Sequence, residues 1–117
     1  MRNKEIEQDL LVQLRTAFAA GDWQKTKAIY DSMQDFVKKK ASIRVEATSL
    51  LARALVAQKN RSGARALLKK IGDEEYTKAV HYDFLARAYL DVRNYKEVIR
   101  CCERAVTLQE AEQQPKQ

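Results

Sequence analysis

The sequence predicts an all-α domain, and three observations carry that expectation. Glycine and proline are scarce, 3 and 1 among 117 residues, with the proline at Pro115. A sheet protein of this size needs a tight turn about every ten residues, usually built on glycine or proline. Apolar residues recur at helical spacing along most of the chain. The chain also repeats itself: "LARALVAQKN", Leu51 to Asn60, returns 34 residues later as "LARAYLDVRN", Leu85 to Asn94.

Six helical stretches are expected. The first runs from about Lys4 to Ala20, with Ile6, Leu10, Leu14 and Ala17 on one stripe. Gly21-Asp22 breaks it, and the Asp22 carboxylate can cap the next helix by accepting a backbone N–H. The second carries Trp23, Thr26, Ile29, Tyr30 and Met33 and fades into Lys38-Lys39-Lys40. The third starts near Ser42 and reaches about Gln58; the fourth follows Asn60-Arg61-Ser62 and ends at Gly72. Asp73-Glu74-Glu75 opens the fifth, placing negative charge where the helix dipole favours it. Asn94 starts the sixth, which gives way from Gln109 to a tail too polar to order itself.

Helix–turn–helix units at a 34-residue period resemble the tetratricopeptide repeat. The likeness is clearest from Ala79 to Glu112. There Tyr82, Leu85, Ala86 and Tyr89 follow the large-x-x-large-small-x-x-large spacing of that family's first helix, and Val98, Cys102 and Ala105 fit its second. One period earlier the same slots hold Thr48, Leu51, Ala52, Leu55, Ala64, Leu68 and Ile71. Ala52 and Ala86 are small so that paired helices can approach closely, while Leu55 and Tyr89 fill the space between neighbouring repeats. In the first repeat Gly21-Asp22-Trp23 matches the family's turn, but Gln13 stands where a large apolar residue belongs. Spacing to the second repeat is about four residues too long around Lys38 to Ala41, and the family's terminal proline is absent, with Glu112 in its place. The resemblance implies antiparallel helix hairpins stacked as a short right-handed solenoid of six helices. It implies one domain over residues 1–112, with repeats at about 7–40, 45–78 and 79–112, and a disordered polar tail at 113–117.

Little in the residues points to catalysis. A nucleophile–histidine–acid set would need the single histidine, His81, which sits beside a core tyrosine at the start of a helix. One histidine near a Cys-Cys pair does not make a metal site, and no glycine-rich phosphate loop exists. The chain is therefore read as no enzyme, with no cofactor. No apolar run approaches the ~20 residues of a membrane span, and MRNKEIEQDL carries no hydrophobic signal segment. Cys101 and Cys102 are adjacent, outside any disulfide framework, and read as reduced thiols in the cytoplasm, with Cys102 at a core position.

Binding is the remaining class. Twenty-two basic against sixteen acidic residues give a net charge of +6. Arg61, Arg65, Lys69 and Lys70 form one stripe and Lys96, Arg100 and Arg104 another, both on helices that form the convex surface in the resembled family. A solubilising face is one reading, and an electrostatic dock for nucleic acid or an acidic partner is the other. No interleaved exposed aromatics favour base stacking.

The resemblance makes the concave groove, lined by first helices, the expected partner site. Arg15, Arg53 and Arg87 take one groove slot in successive repeats, among Glu46, Ser49, Leu50, Val56, Asp83, Phe84, Leu90 and Asp91. Such a ladder suits a peptide or helix with acidic and hydrophobic side chains. The competing reading is that Arg53 and Arg87 pair with Glu46, Asp83 or Asp91 between neighbouring helices. The carboxylate clamp of the family's chaperone-binding members is set aside, because Leu11, Leu50, Val80 and Phe84 stand at its slots.

The function expected is a protein-binding adaptor or a small chaperone or assembly factor. The alternatives are an RNA-binding helical repeat and the output module of a larger signalling protein. "AFAAGDWQKTKAIYDSMQ" resembles a pentatricopeptide repeat, although the period of 34 and the later alanines and tyrosines follow the tetratricopeptide pattern. On the last helix some of Ile99, Val106 and Leu108 are expected to stay partly uncovered, so that this end self-associates, most commonly as a twofold dimer, or docks a partner.

Overall fold

Seven helices, rather than six, make up residues 3–113, which the computed structural model describes: α1 (Asn3–Ala19), α2 (Trp23–Ser32), α3 (Gln34–Lys39), α4 (Ala41–Ala57), α5 (Arg61–Ile71), α6 (Ala79–Asp91) and α7 (Tyr95–Gln113). The expected disordered tail at 113–117 lies outside the described residues, except that Gln113 still belongs to α7. No helix among them is long and apolar enough to cross a membrane.

One turn design recurs three times. Gly21, Lys59 and Arg93 have φ of 73°, 65° and 62°, in the left-handed region. Each ends its helix in a double hydrogen bond back to the last turn. Lys59 N–H donates to the Val56 carbonyl and Asn60 N–H to Leu55; Arg93 N–H donates to Leu90 and Asn94 N–H to Tyr89; Gly21 and Asp22 do the same to Phe18 and Ala17. These bonds satisfy carbonyls that a helix end leaves without partners. The next residue then caps the following helix: Asp22, Asn60 and Asn94 accept from the N–H groups of Lys25, Gly63 and Glu97.

The turns are 38 and 34 residues apart, so the first unit carries four extra residues. They extend α4, which has 17 residues where α6 has 13. The added first turn, Ala41 to Arg44, is used. Arg44 donates to the Val37 and Lys38 carbonyls at the end of α3 and grips Glu74 with two bonds of 2.5 and 3.0 Å. The second expected helix is broken at Met33, where Ser32 Oγ donates back to the Ile29 carbonyl at 2.6 Å. Such back-bonding bends helices. Beyond the break α3 continues with Val37 buried.

The fifth expected helix opens later than Asp73-Glu74-Glu75, at Ala79. Both glutamates are drawn into long-range pairs instead, Glu74 with Arg44 and Glu75 with Arg104. Tyr76 plugs the connection: it is 5% exposed, its hydroxyl donates to the Ile71 carbonyl at 2.8 Å, and its N–H donates to the Tyr82 hydroxyl at 3.1 Å. At the other end, Gln109 to Gln113 continue α7 rather than starting a tail.

Each three-residue turn folds a helix back on its predecessor, pairing α1 with α2, α4 with α5 and α6 with α7. Between pairs, α1 packs on α4 and α4 on α6, while α2 and α5 pack on that row more than on each other. The molecule measures 47 × 39 × 23 Å, and its thin direction accommodates two layers of helices. Two apolar clusters meet on α4. Ile43 and Ala47 face Leu11, Leu14, Ile29, Met33 and Val37; Val45 and Ala52 face Leu68, Tyr82 and Leu85. The repeated leucines Leu51 and Leu85 are 5% and 0% exposed, and Ala52 and Ala86 are buried beside them.

Candidate protein-binding groove

Arg15, Arg53 and Arg87 each stand six residues before a left-handed turn residue, so they are equivalent positions on α1, α4 and α6. Two of them are held within the protein. Arg15 forms two bonds to Glu46 on α4, at 2.6 and 2.8 Å, and these hold its guanidinium proton more firmly than usual, raising its pKa. Arg53 donates to Asp91 on α6 at 2.9 Å and lies over the Phe18 ring, 4.9 Å from its centre. Each arginine thus fastens its helix to the next one in the row. Arg87 is exposed and has no acidic partner among the described residues.

The remaining expected groove residues divide by burial. Glu46 and Ser49 are 8% and 1% exposed, so they lie between helices and not on an open groove. Leu50 packs against the α1–α4 cluster, while Val56 and Phe84 pack against the α4–α7 cluster. Asp91 is occupied by Arg53. What stays open is the α6 end of the row, where Asp83, Arg87 and Leu90 line a groove of about 400 Å³ with Ala86, Val98 and Cys102. Leu90 is 54% exposed there, beside one acid and one base. Such a surface can take an apolar side chain and one charged group of either sign at its edges.

The basic stripes are partly consumed in the same way. Arg65 donates to the Val92 carbonyl at 3.2 Å and Arg100 to the Gly72 carbonyl at 3.0 Å, each serving a helix end in the neighbouring pair. Arg104 is paired with Glu75 and Arg100 also with Glu97. Arg61, Lys69, Lys70 and Lys96 remain exposed.

The cysteine register differs from expectation. Cys101 is fully buried and Cys102 exposed, and burial pushes the Cys101 thiol up to about 11. The slot of Cys102 is the slot of Leu68, and on α5 the following pair covers it. His81 stands edge-on to Tyr76 at 5.7 Å, and burial, aided by Lys78, lowers its pKa. No group of three or more His, Cys, Asp or Glu that could hold a metal occurs among the described residues.

Besides the Glu75–Arg104 pair, two charged contacts had no signal in the sequence pattern. One is the Arg44–Glu74–Tyr76 cluster, in which the Arg44 bonds hold the Glu74 carboxyl below its ordinary range. The other is Lys40 to Glu7 at 2.6 Å, which joins the start of α4 to α1 and satisfies a carboxylate only 7% exposed. No protein-family model, curated protein or solved structure matches the chain.

Proposed function

We propose that the chain is a tetratricopeptide-like helical-repeat module that works by binding another protein rather than by catalysis. The observation that carries this reading is the threefold recurrence of one helix–turn–helix unit, with left-handed residues at Gly21, Lys59 and Arg93 and an arginine six residues before each. In such an array the row of first helices forms a continuous inner surface, and contacts run along α1, α4 and α6. Arg15 and Arg53 tie the row together, which leaves Arg87, Asp83 and Leu90 as the part of the slot able to engage a partner. The matching partner is a helix or extended segment that offers an apolar side chain to Leu90 and an acid to Arg87.

The test is capture from lysate on the immobilised chain, at low and high salt, with proteins identified by mass spectrometry and nucleic acid stained. Wild type is expected to retain a discrete protein partner at both salts, and Arg87→Glu to lose it with the helix content unchanged. Retention of RNA alone, lost at high salt, would move the function to the basic surface.

A further inference from the structure

On α7, Tyr95, Ile99, Cys102 and Val106 are all exposed, and Tyr95, Ile99 and Val106 are 58%, 59% and 51% exposed. Their spacing of four, three and four residues confines them to an arc of roughly 60° on the helix. That is the alternation of a coiled-coil seam. Leu108 is half-buried against the core and lies off this seam.

The fold supplies an internal comparison. Positions on α7 correspond to positions on α5 one 34-residue period earlier, because Lys59 and Arg93 are equivalent. The equivalent positions are Arg61, Arg65 and Leu68 on α5 and Gly72 at its cap; the next helix pair covers Leu68 and Gly72 and accepts a bond from Arg65, while Arg61 stays exposed. Arg65 bonds to Val92, Leu68 is 1% exposed, and the Tyr89 hydroxyl presses on Gly72. The Cys102–Val106 half of the α7 seam is therefore the part that a following pair buries elsewhere in this molecule, and Ile99 stands where Arg65 reaches that pair. Among the described residues nothing covers the seam.

The charges beside the seam select an occupant. Lys96 and Glu103 lie seven residues apart along one edge, both exposed, and neither has an ion-pair partner among the described residues. A helix with opposite charges one heptad apart on the same edge is complementary to an antiparallel, twofold-related copy of itself. We infer that a second copy of this chain docks antiparallel on α7. Ile99 then faces the partner's Cys102, Tyr95 faces the partner's Val106, and Lys96 meets the partner's Glu103 twice by symmetry. Four side chains from each copy bury less than the roughly 1,600 Å² of a standard interface, so the dimer is micromolar or weaker. Cys102 also lines the α6–α7 groove, so the second copy would add a wall to each groove. The inference stands on α7 alone and does not depend on what the groove binds.

Sedimentation equilibrium on the whole chain up to about 0.5 mM tests it, with Lys96→Glu, Glu103→Lys and their equimolar mixture. Wild type should dimerise reversibly. Each single variant places like charges together at both contacts and should weaken association about 10-fold. The mixture should recover wild-type association, since the mixed dimer restores two opposite-charge pairs. Ile99→Lys, at an exposed site, should hold the protein monomeric with unchanged circular dichroism. A wild type that stays monomeric throughout overturns the inference. So does a mixture that associates no better than the single variants.

Discussion

Gly72→Ala probes how tightly the second helix pair is docked on the third. Gly72 caps α5 with φ of −69°, an ordinary helical value, so alanine suffers no backbone strain there. The conflict is one of space. A Cβ at this position would lie 2.0 Å from the Tyr89 hydroxyl and 3.0 Å from the Leu68 carbonyl oxygen. The first distance is about 1.5 Å short of ordinary contact. Tyr89 is 7% exposed and cannot swing clear without disturbing the core around it. Overpacking of this kind costs about 1–3 kcal/mol, offset by about 0.5–1 kcal/mol from the lower unfolded-state entropy of alanine. The expected net loss is about 1–2 kcal/mol, or about 4–8 °C in Tm for a domain near this size. Urea titration followed by far-UV circular dichroism measures it. Tyr89→Phe removes the offending oxygen and leaves the next ring atom 3.3 Å from the new methyl. The double variant should therefore be more stable than the sum of the two single changes predicts, by about 1 kcal/mol or more. Gly72→Ala at or above wild-type stability, or additive single effects, would refute the docking described here.

Four other outcomes are expected. Lys59→Gly and Arg93→Gly should each stabilise by about 0.5–1 kcal/mol by relieving a left-handed side-chain residue, whereas Gly21→Ala should destabilise by a similar amount; thermal melts decide. Leu85→Ala, at a fully buried site, should cost about 2–5 kcal/mol, while Leu90→Ala on the same helix should change stability by less than about 0.5 kcal/mol. His81 has a lowered pKa in the fold, so the unfolded chain binds its proton more readily. Stability should be full above the ordinary histidine pKa and decline as pH falls through it toward the lower folded value, and His81→Phe should remove that part of the decline. The depressed Glu74 carboxyl acts in the same direction at lower pH: its contribution is present above the ordinary carboxylate range and is lost as pH falls through the folded value. Glu74→Gln should remove that contribution and flatten the acid limb of a stability–pH curve.

The helices and their pairing were legible because local residues encode them. Gly21-Asp22, Asn60 and Asn94 mark the turns, and the alternation around Leu51 and Leu85 marks the buried faces. The left-handed conformations of Lys59 and Arg93 were not legible, since neither side chain favours them; only the equivalence with Gly21 in space reveals them. Glu74 and Glu75 read as a helix start, yet partners 30 and 29 residues away claim them. Pairing at that separation leaves no local trace. Four extra residues were countable, but not that they would lengthen α4 and bring Arg44 to Glu74. The three arginines do stand at equivalent positions, but their side chains fare differently: Arg53 pairs with Asp91, Arg15 pairs with Glu46, a contact not foreseen, and Arg87 stays open. Cys102 was assigned to the core because the repeat pattern assumes a following neighbour, and at the last helix no neighbour is present among the described residues.

The most direct test of binding at the α6 end of the inner row is amide chemical-shift mapping on isotope-labelled protein, titrated with the partner captured from lysate. Shifts should gather on α6 around Asp83, Arg87 and Leu90 and spare the exposed bases Arg61, Lys69 and Lys70 on α5. Shifts gathered on those α5 bases, with α6 unmoved, would contradict it.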